Sequence, residues 1–274
     1  MSRSGTYVVR RGPLAEQLAY RLRIVSVFAR TEFKLKYAGS ALGYLWSLAK
    51  PSLYFAILWI VFGHLFRTNV PHFPVYLVVG VVLYTFLADA VSLTLPSIVV
   101  RGAVLRRIAF PSLTIPLATT ASTALTFLLN CIAAGIFIGA SGIAPRGSWL
   151  MLVPLFVEFY VFVLGISLIF SSLYVRFRDA GQVWEVLSTV ILYTSGIMYP
   201  LRILPDWAQK VVALSPLVQV VQDARAHILG GDPRAASYTA IAEPHVFPIL
   251  IAFAALGLGL MLHRHESPRF PEIA

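Results

Sequence analysis

The hydrophobic pattern divides the chain into long apolar runs separated by short polar loops. Each of six runs has about 17 residues or more, enough to cross the hydrocarbon core of a bilayer as a helix. Backbone that faces lipid must hydrogen-bond within its own segment, which favours helices throughout. The sequence therefore predicts an all-α integral membrane protein with six transmembrane helices. The predicted spans are 42–66, 75–95, 112–138, 149–174, 183–199 and 246–262.

The segment before the first span has a different pattern. In residues 14–30, apolar side chains recur at helical spacing and arginines occupy polar positions. This pattern suits an amphipathic helix lying in the cytoplasmic membrane interface. It also suits a short soluble helix packed on a partner, and the two interpretations are compatible. In the first span that follows, Pro51 should introduce a kink near the cytoplasmic end.

The longest loop, residues 200–245, contains two more helix patterns. A helix start at Pro205 is followed by a break at Ser215, and a second helix pattern closes at Gly230. We expect two short helices at the outer face, acting as a gate or as a cap over the short fifth span.

Three regions follow from this pattern. Residues 1–36 form a cytoplasmic N-terminus that includes the interface helix. Residues 37–264 form the six-helix transmembrane domain, with the gate-like loop inside it. Residues 265–274 form a cytoplasmic tail.

Composition supports a membrane environment. The chain is 58% hydrophobic and only 12% charged, whereas a soluble domain has about 25% charged residues. The net charge of +10 comes from basic residues in short loops. That placement is typical of topology signals and does not indicate a nucleic-acid partner. The positive-inside rule places both termini and the even-numbered loops in the cytoplasm, so we expect a multi-pass plasma (inner) membrane protein.

The sequence offers little for catalysis. None of its four lysines follows a G-x-x-x-x-G-K-[ST] phosphate loop, so a different chain would have to bind ATP and Mg. We expect no cofactor, no metal site and no enzymatic activity in this chain. The single cysteine, Cys131, excludes an intrachain disulfide.

Two acidic residues, Asp89 and Glu158, lie within predicted spans. An intramembrane carboxylate is a candidate functional group. Neither has an obvious partner in the sequence. A structural role on a neighbouring helix or in a watery cavity stays open beside a proton or metal role.

Aromatic residues are concentrated in the first span and recur in the fifth. Aromatic rings offer a rigid amphipathic surface on which sugars can stack. Belts at the membrane surfaces and packing in the core are the competing interpretations, and Tyr44 and Trp46 fit the belt. The candidates for contact with a glycan are Tyr54, Phe55, Trp59, Phe62, Tyr193 and Tyr199.

Several motifs together resemble a known family. They are YAGSALGYLWSLAKP at 37–51, RIAFP at 107–111, RFRD at 176–179, MYP at 198–200 and LSPL at 214–217. Their order on the predicted spans is similar to that of type-2 ABC exporter permeases, within them the polysaccharide exporters of the O-antigen, teichoic acid and galactan kind. The likeness covers about 14–264. Ser215 departs from it, since the family pattern has asparagine there.

The resemblance implies a homodimer that binds two copies of an ATP-binding subunit and moves a polysaccharide linked to a polyprenyl pyrophosphate. Charge alone makes a basic set plausible for contact with the lipid headgroup. That set is Arg21, Arg23, Arg30, Lys34 and Lys36. The residues implied in docking of the ATP-binding subunit are Arg101, Arg106, Arg107, Arg176, Arg178, Asp179 and Glu185.

The functional hypothesis is therefore the membrane subunit of an ABC exporter for a lipid-linked polysaccharide. A permease for a drug, a lipid or a small glycolipid is the alternative within the same superfamily. A membrane enzyme acting on polyprenyl phosphates is a more remote alternative, because it would need clustered acids or a nucleophile with its base. A structural or insertion factor also stays open.

Overall fold

The computed structural model describes residues 14–40, 43–65, 70, 72–101, 112–230 and 246–267. This part of the chain is helical, with no strand within the ranges just given. The helices are α1 (Leu14–Tyr37), α2 (Leu45–Leu58), α3 (Phe73–Thr94), α4 (Ser97–Val100), α5 (Thr114–Ala140), α6 (Leu152–Arg176), α7 (Ala180–Thr194), α8 (Asp206–Val212), α9 (Pro216–Leu229) and α10 (Val246–Glu266). A π-helical turn, Trp59–Leu65, continues α2, and 3-10 turns occupy Gly147–Met151 and Leu201–Ile203.

Five helical segments in the described ranges are long and apolar enough to cross a membrane. They match predicted spans one to four and six, and their bounds are Leu45–Gly63, Phe73–Val100, Thr114–Ala140, Gly147–Arg176 and Val246–Glu266. The all-helical membrane architecture predicted from the sequence is therefore confirmed.

The fifth predicted span differs from the helix that forms there. Helix α7 has 15 residues and ends at Thr194 rather than at Tyr199. At about 1.5 Å per residue it is about 22 Å long, shorter than the hydrocarbon core of about 30 Å. The chain leaves the helix because Gly196 takes a left-handed conformation, with φ of +63°.

Helix α3 is the centre of the fold. It packs against α2, α5, α6, α7 and α9. Its Phe86 ring stacks on Phe127 of α5 at 4.5 Å between centroids and meets Phe159 of α6 edge-on at 5.9 Å. A helix that is apolar all round is expected in such an enclosed position.

Helices α6 and α10 pack along each other through a close glycine contact. A Cβ atom on Gly165 would lie 2.5 Å from the backbone nitrogen of Leu256. A Cβ on Gly259 would lie 2.7 Å from the carbonyl oxygen of Gly165. Small residues allow two membrane helices to approach this closely, and packing then replaces the missing hydrophobic driving force.

Helix α1 forms where the amphipathic pattern predicts it and extends further, to Tyr37. It packs along α5. Glu32 of α1 pairs with Arg101, which also donates to the Thr119 hydroxyl oxygen at 3.1 Å. Helix α1 therefore packs on this chain itself, and its place in a membrane interface stays a prediction.

Helix α2 continues through the buried Pro51. Its regular α-helical hydrogen bonding gives way later, at the π-helical turn Trp59–Leu65, which the sequence analysis did not predict. A Cβ on Gly63 would lie 2.9 Å from Cδ1 of Trp59, so a larger residue at 63 would crowd the indole ring.

The two short helices predicted in the long loop form as α8 and α9. Gly230 ends α9 in a left-handed conformation, as the sequence pattern indicates. Trp207 of α8 is exposed, whereas α9 is buried along nearly all its length against α3 and α6. Apolar residues at 217, 220, 221, 224 and 228 line one face of α9, and Val218 extends the buried surface to the side next to it. The position of both helices at the outer face stays a prediction.

Candidate functional site

Helix α2 presents two different faces, and one of them carries its charged residue. Lys50 and Tyr54 are four residues apart and share a face. Phe55 and Trp59 share another face, also by four-residue spacing, and their rings stack at 6.2 Å. The aromatic residues predicted to line one surface are therefore divided between two sides of the same helix.

Tyr54 belongs to a group of tyrosines contributed by three parts of the chain. Its phenol group lies close to those of Tyr84 of α3 and Tyr193 of α7. The Tyr84 hydroxyl donates to the carbonyl oxygen of Ser188 on α7 at 3.0 Å. The Tyr199 hydroxyl donates to the carbonyl oxygen of Tyr193 at 2.8 Å. We call Tyr54, Tyr84, Tyr193 and Tyr199 the tyrosine face.

Accessibility differs among these tyrosines. Tyr193 is exposed, Tyr54 and Tyr199 are half-buried, and Tyr84 is buried. The face therefore combines accessible rings with hydroxyl groups already held by the backbone. Such a surface can stack against a sugar ring and hydrogen-bond to its hydroxyls. Three of the four tyrosines are among the residues predicted from the sequence, whereas Tyr84 is not, although it meets the same aromatic criterion in the second span.

An ion pair lies next to the tyrosine face. The Lys50 ammonium nitrogen is 2.5 Å from Oδ1 of Asp89, which joins α2 to α3. The two side chains are 66% and 28% exposed, respectively. Opposite charges within spanning helices are expected to pair. Asp89 thus has a partner on a neighbouring helix, one that its position in the sequence did not reveal.

Phe55 lies on a different side of α2 from Tyr54, towards α5. It meets the Phe137 ring edge-on at 5.3 Å between centroids. It also lines a small cavity of about 110 Å³, together with Pro51, Val82 and Asn130. Phe62 is half-buried against the main core. These contacts favour a packing role for Phe55 and Phe62.

The start of α2 borders a larger apolar groove. It has a volume of about 570 Å³ and lies between Ser40 with residues 43–48 on one side and residues 129–136 of α5 on the other. Tyr44, at its edge, stacks on Phe33 of α1 at 5.2 Å. Trp46 is exposed, as expected of an interfacial residue. Tyr44 therefore joins α1 to α2 in addition to any anchoring role.

The predicted headgroup residues lie along α1. The side chains of Arg23, Arg30, Lys34 and Lys36 are exposed. The side chain of Arg21 lies outside the described residues. The exposed cations are thus accessible to a lipid phosphate, although α1 is bound to α5.

The predicted docking residues form two groups. Arg176, Arg178, Asp179 and Glu185 are all exposed around the start of α7. Arg178 lies over the Tyr174 ring at 5.0 Å and Arg176 over the Phe177 ring at 5.1 Å. Arg101 is engaged by Glu32, which reduces its availability to a partner. Arg106 and Arg107 lie outside the described residues.

Glu158, the other intramembrane acid, belongs to a polar contact between α6 and α9. The Gln219 amide nitrogen donates to Oε2 of Glu158 at 3.4 Å and to Oδ2 of Asp223 at 3.3 Å. Gln219 and Asp223 are buried. The sequence analysis placed this stretch of α9 in an outer loop and did not connect it to Glu158. Within the described ranges, no group of three or more histidine, cysteine or acidic side chains could hold a metal ion.

Comparison with known proteins agrees with the motif resemblance. The family model for the ABC-2 type transporter matches residues 23–229, which is most of the chain. The chain belongs to the ABC-2 type transporter family. The tyrosine face, the ion pair and the buried helix α9 all lie within the matched region.

Similar members of this family export polysaccharides, according to their names. The chain is 27% identical over 215 residues to the O-antigen export system permease protein RfbA of Klebsiella pneumoniae, covering 78% of this chain and 83% of that protein. It is 27% identical over 253 residues to the permease of the same name from Myxococcus xanthus, covering 90% and 91%. It is 22% identical over 247 residues to the polysialic acid transport protein KpsM of Escherichia coli, covering 89% and 93%.

Proposed function

We propose that this chain is the membrane subunit of an ABC exporter that moves a polysaccharide, linked to polyprenyl pyrophosphate, out of the cytoplasm. A separate ATP-binding subunit supplies the energy. Family membership and the names of the similar permeases support the transporter class. The tyrosine face is the structural observation that carries the choice of a glycan, because Tyr54, Tyr193 and Tyr199 offer both rings and hydroxyls to a sugar.

The proposed arrangement has six membrane segments, with α7 as the short fifth one and both termini in the cytoplasm. Two copies of the chain and two ATP-binding subunits form the exporter. The exposed cations of α1 hold the pyrophosphate of the lipid carrier in the plasma membrane. The exposed residues around the start of α7 bind the ATP-binding subunit. The ATP-binding subunit binds ATP and Mg in its own nucleotide site, since this sequence contains no phosphate loop.

A reconstituted system tests this proposal. The chain, purified alone in lipid nanodiscs, should hydrolyse no ATP, and the complex with its ATP-binding subunit should do so. Inverted membrane vesicles that contain the complex and lipid-linked O-antigen should accumulate polysaccharide in the lumen when ATP is added. Lumenal accumulation of a bare lipid or a drug, with no polysaccharide, would favour the alternative exporter class. ATP hydrolysis by the chain alone would refute the assignment to a permease.

A further inference from the structure

The chain leaves regular helix just after α7, inside the packed part of the fold. Ser195, Gly196, Ile197 and Met198 are all buried there. Non-helical backbone at membrane depth is tolerated only where other protein groups satisfy its carbonyl oxygens. In the described structure, two side chains from other helices meet three carbonyl groups of this turn. They are Arg225 of α9 and Tyr76 of α3.

Arg225 meets the turn with its whole guanidinium group. Its Nε donates to the carbonyl oxygen of Tyr76, its Nη1 to that of Gly196 and its Nη2 to that of Ile197, each at 2.9 Å. The guanidinium carbon lies 3.3 Å from the centre of the Tyr76 ring. The side chain is 0% exposed. Only arginine has a planar group with donors in these several directions, so lysine could not make the same set of bonds.

Tyr76 completes the arrangement from the other side. Its hydroxyl oxygen lies 2.9 Å from the carbonyl oxygen of Gly196 and 2.8 Å from that of Tyr199, so its single proton is shared between these two acceptors. Three helices, α3, α7 and α9, are thus joined at one turn. We call Arg225, Tyr76 and the carbonyl groups of Gly196, Ile197 and Tyr199 the arginine anchor.

Gly80 makes room for the arginine anchor. A Cβ at this position would lie 2.7 Å from Nη2 of Arg225 and 3.0 Å from Cγ2 of Ile197. Glycine therefore lets the guanidinium lie directly against α3. The substitution Gly80→Ala should therefore displace the guanidinium group without removing its charge.

The arginine anchor connects to the tyrosine face through Tyr199. The carbonyl oxygen of Tyr199 accepts from Tyr76, and its hydroxyl group donates to the carbonyl oxygen of Tyr193. The position of both tyrosines therefore depends on where the turn is held. We infer that Arg225 is a positioning residue for transport, which holds the turn after α7 so that Tyr193 and Tyr199 stay on the tyrosine face. This inference rests on the proposed function for its link to polysaccharide export.

A spin label on α7 tests the positioning directly. Cys131 is the only cysteine, so a Cys131→Ala background allows one label at a time. A label at Tyr193→Cys reports on the end of α7. A label at Val186→Cys, an exposed site two turns earlier on the same helix, is the matched control. The spectra are recorded on the complex with the ATP-binding subunit in nanodiscs.

Four variants separate the contributions. Arg225→Gln and Arg225→Lys remove the hydrogen bonds that the guanidinium group donates to the three carbonyl oxygens. Tyr76→Phe removes only a hydroxyl group, and Gly80→Ala crowds the guanidinium group. Gly135→Ala is the control substitution, because a Cβ there meets nothing within 4 Å. We expect the first four to increase label mobility at 193 but not at 186. With Tyr193 intact, Arg225→Gln should lower export of lipid-linked O-antigen about tenfold or more, because it removes hydrogen bonds of a charged group and one such bond alone is worth about that factor.

The outcomes distinguish the inference from its alternatives. Unchanged mobility at 193 in Arg225→Gln and Gly80→Ala overturns the positioning role. The positioning role is also overturned if label mobility rises equally at 186 and 193 and the Tyr76→Phe variant no longer assembles into the complex. Arg225 would then contribute to general stability. If the wild-type complex exports no polysaccharide while mobility at 193 still responds, the proposed function fails and the arginine anchor stands. Normal export by an Arg225 variant that increases label mobility at 193 overturns the link between the arginine anchor and transport.

Discussion

The contact between α6 and α10 leads to a prediction of opposite effects from two similar substitutions. Gly165→Ala places a Cβ 2.5 Å from the Leu256 nitrogen and 2.6 Å from the Ala255 carbonyl carbon. Both neighbours are backbone atoms, so no side chain can rotate away. To restore ordinary contact, the helices must separate by about 1 Å, which in a close-packed interior loses favourable contacts along the whole interface.

The expected magnitude follows from this geometry. Overpacking of this kind costs about 1–3 kcal/mol. Gly257→Ala, on the same helix α10, adds a Cβ that meets nothing within 4 Å. There the change should stabilise the helix by about 0.5–1 kcal/mol, because alanine loses less conformational entropy than glycine. The two alanine variants should therefore differ in stability by about 1.5–4 kcal/mol.

A thermal unfolding experiment on the purified protein checks this difference. Gly165→Ala should lower the melting temperature by about 2–12 °C, whereas Gly257→Ala should leave it unchanged or raise it. The tryptophan fluorescence of detergent-solubilised protein provides the signal. Equal melting temperatures for the two variants would show that α6 and α10 are not in backbone contact, and the reasoning would be wrong.

Two further predictions concern the faces of α2. Asp89→Asn removes the carboxylate next to Lys50 and should lower export. The double variant Lys50→Asp with Asp89→Lys exchanges the two charges and should restore export. Failure of this double variant to restore export would count against a role for the ion pair. Tyr54→Phe should lower export with little change in melting temperature, whereas Phe55→Ala should destabilise the protein by about 2 kcal/mol or more because it leaves a cavity. The reverse pattern, with Tyr54→Phe unstable and Phe55→Ala inactive but stable, would contradict the assignment of the two faces.

Local sequence patterns predicted the helices well because long apolar runs have few alternatives in lipid. Span 112–138 formed as Thr114–Ala140, and span 75–95 formed as Phe73–Thr94. The end of α7 was harder to predict. The apolar residues of 195–199 continue the run of α7, but the left-handed Gly196 ends the helix, and a glycine within an apolar run need not take that conformation.

Contacts between distant residues could not be predicted from local patterns. Lys50 and Asp89 are 39 residues apart, and Arg225 and Tyr76 are 149 apart. A usable signal did exist for Arg225, because it stands among apolar residues at helical spacing in α9. Its position within the loop 200–245 suggests a solvent-exposed charge, whereas a cation among apolar residues is expected to be buried with partners.

The distinction between Tyr54 and Phe55 has a consequence for the candidate site. Neighbouring residues on a helix point about 100° apart, so an aromatic-rich run cannot form a single lining surface. Which face lines a path depends on the helices that cover the other face, and here α5 covers Phe55 through Phe137. Phe55 and Phe62 thus leave the candidates for glycan contact, and Tyr54, Trp59, Tyr193 and Tyr199 remain, since Trp59 is 39% exposed. Tyr84 adds a hydroxyl that ties α3 to α7 beneath them. Substitutions on the Phe55 side should therefore affect stability before they affect transport.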